Sequence, residues 1–194
     1  MQPIQFSEVK NIYEYEKIRA DFRSKVIAAK KHRRFQVGDN MTIVFENHDS
    51  VLFQIQEMIR VEKIITDEGM QHEIDTYNLL LPGTNELSAT LLIDITEKHL
   101  IKPMLDSLVG LNKNSIFLIV DGHETAAIFD ESQIEDDRVS AVQYIKWKLT
   151  DDDVKKFSDH SIVVQIAIKH PNYTASHTLT ENEQEALSAD LRSN

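Results

Sequence analysis

The spacing of apolar residues divides the chain into a first part with helical periodicity and a second part with the alternation of strands. In the first part, apolar residues recur every three or four positions in three segments, at 8–33, 50–66 and 70–80. We expect Asp49 or Ser50 to cap the second of these helices and Gly69 to end it. A Gly-Asp-Asn turn between two short apolar runs predicts a β-hairpin over residues 35–46.

Strand patterns dominate from residue 86 onward. They predict strands at 87–95, at 115–130 as a hairpin around an Asp-Gly turn, at 141–148, at 162–168 and at 173–178. Helical segments are predicted at 97–111 and at 151–158, and Thr150 is expected to cap the second of these. Thr180 and Glu183 form a capping box, which predicts that a final acidic helix begins there.

The order of these segments predicts the fold class. Helices come first, and the strands then follow one another through connections too short for repeated parallel crossovers. We therefore predict an α+β fold, with a mostly antiparallel β-sheet packed against an N-terminal helical layer. We expect a single domain with a helix-rich part at 1–82, a sheet-rich part at 83–180 and a C-terminal helix at 181–193.

Charge and cysteine content narrow the classes of function. The 32 acidic residues outnumber the 21 Lys and Arg, and the resulting net charge of −11 opposes binding to nucleic acid or anionic membranes. The chain has no Cys, which excludes disulfides, thiol nucleophiles and an iron–sulfur cluster held by the chain's own thiolates. No apolar run approaches the roughly 20 residues of a membrane span, and the first residues do not resemble a signal peptide. We therefore expect a cytoplasmic protein.

One acidic residue, Glu62, is predicted to lie near the centre of an apolar helix face. An unpaired carboxylate in such a place is costly, so it needs a hydrogen bond, a cation or a proton. Two interpretations stay open. Glu62 forms a buried ion pair with Arg19 or Arg23 of the first helix, or it faces a ligand or metal.

Other polar residues border the same predicted faces. Glu57 lies at a flank of the second helix, and Glu73 and Asn78 lie at opposite borders of the third helix's apolar face, which contains Tyr77. A pocket lined by Glu57, Glu62 and Glu73 would allow an enzyme or a metal-dependent redox accessory. However, the chain lacks the Glu-x-x-His pairs of di-iron bundles, and we predict neither a metal nor a cofactor.

The eight histidines are scattered along the chain. None is spaced as His-x-His or His-x-x-x-His, so the sequence predicts no preformed zinc site. His170 and His177 could meet across two paired strands, although solvent-facing histidines are the commoner explanation for such spacing.

Several segments together resemble an uncharacterised bacterial family, domain-of-unknown-function family 3501. They include Tyr15-Glu16-x-x-Arg19-x-x-x-Arg23, the run from Gln54 to Glu62 that contains Glu57 and Arg60, and Tyr77-Asn78-x-Leu80-x-Pro82. The resemblance covers the whole chain and is densest from 15 to 95. It implies an accessory role near rubrerythrin-like and iron–sulfur redox systems, but it assigns no activity.

These observations favour a non-catalytic binding or accessory module. Its candidate site residues are Arg19, Arg23, Glu57, Arg60, Glu62, Glu73, Tyr77 and Asn78. We expect an unidentified protein or small molecule as the partner, with a homodimer as one form that such an association could take. An enzyme that uses the carboxylate cluster is the alternative.

Overall fold

The computed structural model describes residues 1–133 and 138–192 and contains helices at both ends of a strand-rich region. The α-helices are α1 (Ile12–Lys30), α2 (His48–Val61), α3 (Asp67–Asn78), α4 (Ile101–Ser107), α5 (Asp151–Phe157) and α6 (Glu181–Arg192). The strands are β1 (Arg34–Gln36), β2 (Met41–Phe45), β3 (Glu86–Ile93), β4 (Ile116–Val120), β5 (His123–Ala126), β6 (Ile128–Phe129), β7 (Val142–Lys148), β8 (Val164–His170) and β9 (Tyr173–Thr178). The last residue of the predicted C-terminal helix, at 193, lies outside the described residues.

The strands form two antiparallel sheets. Sheet A has the order β1-β2-β3-β7-β6, and sheet B has the order β5-β4-β8-β9. The α+β class with antiparallel pairing is confirmed, but the sequence did not predict that the strands divide between two sheets. The chain crosses from sheet B to sheet A at Ala127, a single residue between β5 and β6 whose N–H still donates to the carbonyl of Ile116.

Two hydrophobic cores hold the layers together. The larger core lies between the two sheets, where Phe45 stacks on the fully buried Trp147 with ring centroids 5.5 Å apart. The smaller core joins α2, α3 and the N-terminal segment, and Ile55 and Ile74 are buried within it. Tyr144 of sheet A packs against this second core, so the helical layer covers part of the sheet's outer face.

Turn and capping residues set several element boundaries as the sequence predicts. Asp121 and Gly122 both have positive φ, at 51° and 79°, which is the geometry of the tight turn that joins β4 to β5. Thr150 caps α5 by accepting a hydrogen bond from the N–H of Asp153. Thr180 and Glu183 form the predicted capping box at the start of α6.

The ends of α2 differ from the prediction. Its N-cap is Asn47, with Ser50 as the reciprocal partner in a capping box. The helix ends at Val61 because Lys63 adopts a left-handed conformation, with φ of 54°, and the Ile64 N–H returns to the carbonyl of Ile59. Gly69, the predicted stop, instead lies in the first turn of α3. The predicted helix at 97–111 is also shorter, with α4 ending at residue 107.

A buried ion pair attaches α6 to the rest of the fold. The guanidinium of Arg33 contacts both carboxylate oxygens of Asp190, with a distance of 3.0 Å from Nη2 to Oδ1, and it also donates to the carbonyl of Ala186. Burial raises the pKa of Asp190, while the hydrogen bonds from Arg33 oppose that rise. Over the described part of the chain, no helix has both the length and the apolar character that crossing a membrane requires.

Candidate functional site

The register of sheet A places polar side chains on the face that looks toward the helical layer. Ser88 of β3 lies opposite Lys146 of β7, which in turn lies opposite Ile128 of β6. In a neighbouring row, Thr90 lies opposite Tyr144. Residues paired in this way share one face of a sheet, and their sequence neighbours fill the core between the sheets. The outer face is therefore polar in its middle, next to the apolar Ile128 of β6.

A cavity of about 300 Å³ opens on this face, and we call it the sheet cleft. Its lining residues come from the end of α3 and from three strands of sheet A: Leu79, Leu80, Glu86, Ser88, Ile128, Phe129, Asp130, Tyr144 and Lys146. The walls are mostly apolar, and polar groups from β3, from β7 and from the residue after β6 lie among them. That composition and volume are typical of sites for small ligands.

The charged groups of the sheet cleft are held in place by local contacts. Lys146 donates to the carbonyl of Leu81 at 2.9 Å, and its Nζ lies 3.4 Å from Oε2 of Glu86. The Asp130 carboxylate accepts hydrogen bonds from the N–H and the hydroxyl of Ser132 at 2.9 and 2.7 Å. The N–H of Asp130 donates to the carbonyl of Tyr144, which fixes this carboxylate beside the phenol.

A buried carboxylate, Glu46, lies next to the sheet cleft at the end of β2. Its Oε1 accepts a 2.7 Å hydrogen bond from the hydroxyl of Thr90, and its Oε2 accepts from Ser50 at 2.5 Å and from Gln54 at 3.0 Å. Only 3% of Glu46 is exposed, and its hydrogen-bond donors within the described chain are neutral. Glu46 was not among the predicted site residues, although its place directly after the apolar run that ends at Phe45 could have indicated a buried carboxylate.

Tyr144 lies between two of these carboxylates. Burial raises the pKa of its phenol, and the negative charges of Glu46 and Asp130 raise it further. The phenol therefore experiences a negative potential from both sides of the sheet cleft.

A second cavity, the helical groove, lies against α2. It has a volume of about 280 Å³ and is lined by Phe53, Gln54, Glu57, Met58, Val61, Glu62 and Tyr77. Gln54 connects it to the buried Glu46. Burial raises the pKa of Tyr77, and Tyr144 and Glu73 add to that rise. Glu46 and its hydrogen-bond partners thus lie between the helical groove and the sheet cleft.

Glu57 is the centre of a hydrogen-bond network between α1 and α2. Arg19 donates to both of its carboxylate oxygens, at 2.7 and 2.9 Å, and the hydroxyl of the buried Tyr15 donates at 2.7 Å. Arg60 adds a hydrogen bond of 3.2 Å. The hydrogen bonds from Arg19 are the main cause that lowers the pKa of Glu57 to about 2, and burial opposes them. Burial and the bond to Glu57 raise the pKa of Tyr15.

The expectation that Glu62 is buried on an apolar face is wrong. Because α2 ends at Val61, Glu62 is the C-cap residue and is exposed to solvent. Arg19, one of its two proposed partners, pairs with Glu57 instead, and Arg23 is exposed on α1. The sequence thus predicted both helices and one of the two arginines of this ion pair correctly, but the wrong carboxylate.

The remaining predicted site residues have separate environments. Asn78 exchanges two hydrogen bonds with the backbone of Ile4, at 2.9 and 3.0 Å, and so anchors the N-terminal segment to α3. Glu73 is half-buried close to Tyr77. Among the described residues, no group of three or more acidic or His side chains could hold a metal, so the carboxylate cluster proposed for a metal does not form there.

His170 and His177 do not meet. The register places His170 opposite Tyr173, while His177 lies opposite Ile166 and stacks on Phe35 with ring centroids 5.1 Å apart. Nδ1 of the buried His170 accepts from the N–H of Asn172, which leaves Nε2 to donate to the carbonyl of Val109. Both histidines therefore have structural partners.

Comparisons with known proteins identify relatives but no activity. The chain is similar over 98% of its length to a novel protein of unknown function from Burkholderia pseudomallei K96243, whose crystal structure it covers fully with 29% sequence identity and a TM-score of 0.91. No curated protein matches the chain. The family model described as a protein of unknown function, DUF3501, matches residues 3–191. The chain therefore belongs to the DUF3501 family.

Proposed function

We propose that this protein is a non-catalytic binding module and that a small molecule binds in the sheet cleft. The observation that carries the proposal is the cleft itself, a cavity of about 300 Å³ with mostly apolar walls and a few polar groups. Such cavities hold the apolar body of a ligand by burial, and a few polar groups fix its orientation.

The lining residues divide between these two tasks. Leu79, Leu80 and Ile128 provide apolar surface, which favours burial of a ligand by about 25 cal/mol for each Å² removed from water. Ser88 and Tyr144 have hydroxyl groups that can exchange hydrogen bonds with the ligand. Lys146 is held by Leu81 and Glu86, an arrangement that suits a fixed contact better than the transfer of a proton.

An accessory role in redox metabolism is the finer part of the proposal. Resemblance to the family implies a place near rubrerythrin-like and iron–sulfur systems. Because the chain has no Cys, it would bind a ligand for such a system rather than carry electrons through its own thiolates.

A fragment screen by NMR tests binding at the sheet cleft. In ¹⁵N-labelled protein, we expect bound fragments to shift the amides of Ser88, Ile128 and Tyr144. Leu79→Ala and Ile128→Ala should weaken the binding of these fragments, because each removes apolar wall from the cleft. Both side chains are well exposed, so their loss leaves the core intact. Val163→Ala is the matched control, because Val163 is 64% exposed and does not line the cleft. Fragments that bind only elsewhere, or equally well to all variants, would contradict the proposal.

A further inference from the structure

We infer that the ligand of the sheet cleft is an organic cation, with an ammonium group on an apolar body. This inference rests on the proposed function, because it assigns a chemical class to the ligand of the same site. It goes further in assigning separate parts of the site to the two ends of the ligand.

The distribution of charge around the cleft favours a cation. Glu86 and Asp130 line the cavity, and the buried Glu46 lies directly behind Tyr144. Of the lining residues that the structure describes, Lys146 is the one cation, and it lies 3.4 Å from Glu86. Glu46 and Asp130 therefore contribute negative potential that Lys146 does not balance within the cleft.

The partners of Glu46 explain why its charge acts on the cleft. Thr90, Ser50 and Gln54 satisfy its hydrogen-bonding capacity, but none of them brings a positive charge. A buried carboxylate without a cation is costly, and a positive charge nearby lowers that cost. A cationic ligand beside Tyr144 would supply this charge from the solvent side.

Tyr144 provides a suitable surface for an ammonium group. The ring is half-buried and faces the cleft, and the carboxylate of Asp130 is fixed beside it by the backbone hydrogen bond between the two residues. Cations bind the faces of aromatic rings, and the attraction grows when a carboxylate is close. Burial is the main cause that raises the pKa of the Tyr144 phenol, and the negative charges of Glu46 and Asp130 add to it. The apolar body would then lie against Leu79, Leu80 and Ile128.

Three probes of similar size and different charge test the inference. Benzylammonium, benzyl alcohol and benzoate are each titrated into ¹⁵N-labelled protein at pH 7. We expect benzylammonium to shift the amides of Ser88, Ile128 and Tyr144 with a Kd at least about fivefold lower than that of benzyl alcohol, which corresponds to about 1 kcal/mol. Benzoate should bind most weakly, and added salt should reduce the preference.

Variants separate the site from the overall charge of the protein. Asp130→Asn should remove most of the preference for benzylammonium over benzyl alcohol. Asp21→Asn changes the net charge equally on the exposed side of α1, and it should leave the preference unchanged. Equal binding of the amine and the alcohol at the cleft would overturn the cationic ligand while supporting the proposed function. Absence of shifts at the cleft with all three probes would overturn both.

Discussion

The hydroxyl of Thr90 donates a 2.7 Å hydrogen bond to Oε1 of Glu46, and this contact fixes a buried carboxylate behind the outer face of sheet A. The strand register brings these two residues together, because Thr90 lies opposite Val44 and the N–H of Glu46 donates to the carbonyl of Ser88. The chain therefore places a negative charge at the point where the helical layer, the sheet cleft and the helical groove meet.

Replacing Glu46 should change the titration of Tyr144. Because the negative charge of Glu46 contributes to the raised pKa of this phenol, Glu46→Gln should lower that pKa. The measurement is a pH titration of tyrosine ring carbons by ¹³C NMR, with Tyr144→Phe to assign the resonance. Glu62→Gln is the control, since Glu62 is exposed and should leave Tyr144 unaffected. An unchanged titration in Glu46→Gln would show that this carboxylate does not act on the cleft.

The network around Glu57 should make stability depend on pH in the acid range. Its pKa is lowered to about 2 in the folded protein, so its contribution is complete above the ordinary glutamate pKa of about 4.3 and is lost as pH falls through about 2. We expect Glu57→Gln to lower the free energy of unfolding by about 1–2 kcal/mol at pH 7, a value reduced by the partial exposure of Arg19.

Urea unfolding of Glu57→Gln and the wild type from pH 7 to pH 2 measures this effect. The difference between the two proteins should be constant above about pH 5 and should narrow below it. Glu124→Gln is the control, because its ion pair with Lys169 is nearly half exposed on both sides. A difference that stays constant down to pH 2 would contradict the lowered pKa.

The ion pair between Arg33 and Asp190 should be important for attaching α6. Asp190→Asn leaves the guanidinium of Arg33 buried without its counterion, and we expect a loss of about 3–5 kcal/mol in the free energy of unfolding. Chemical denaturation measures the loss. Glu185→Gln, which breaks an exposed pair on the same helix, should have a much smaller effect. Equal effects of the two substitutions would mean that the buried pair has no special role.

Substitution of Glu62 tests the corrected position of this residue. Since Glu62 follows the last residue of α2 and is exposed, Glu62→Gln should change the free energy of unfolding by no more than about 0.5 kcal/mol. Denaturant unfolding provides the value, and Glu57→Gln gives the contrast within the same segment. A loss of 2 kcal/mol or more, as expected for a buried ion pair, would contradict the end of α2 described above.

Local signals in the sequence predicted most elements of the fold. Asp121-Gly122, Thr150 and Thr180 each restrict the backbone or satisfy helix N–H groups within a few residues, and the predicted turn and caps are present. The end of α2 was missed because it depends on Lys63 adopting a left-handed conformation, which propensity does not favour for this residue.

The candidate site depended on contacts between distant parts of the chain. Helical periodicity correctly brought Arg19 toward α2, but it could not choose between Glu57 and Glu62 without the end of the helix. The sheet cleft required the pairing of β3, β6 and β7 and the position of the α3 end, and none of these follows from spacing along the sequence. Glu46 was missed because one of its hydrogen-bond donors, the hydroxyl of Thr90, comes from a strand 44 residues away.

A crystal structure of the protein soaked with benzylammonium tests the central claim most directly. We predict electron density for the aromatic ring against Leu79, Leu80 and Ile128, with the ammonium group between the ring of Tyr144 and the carboxylate of Asp130. Density for the cation only at exposed carboxylates outside the sheet cleft, or a cleft filled by its own side chains, would contradict the claim.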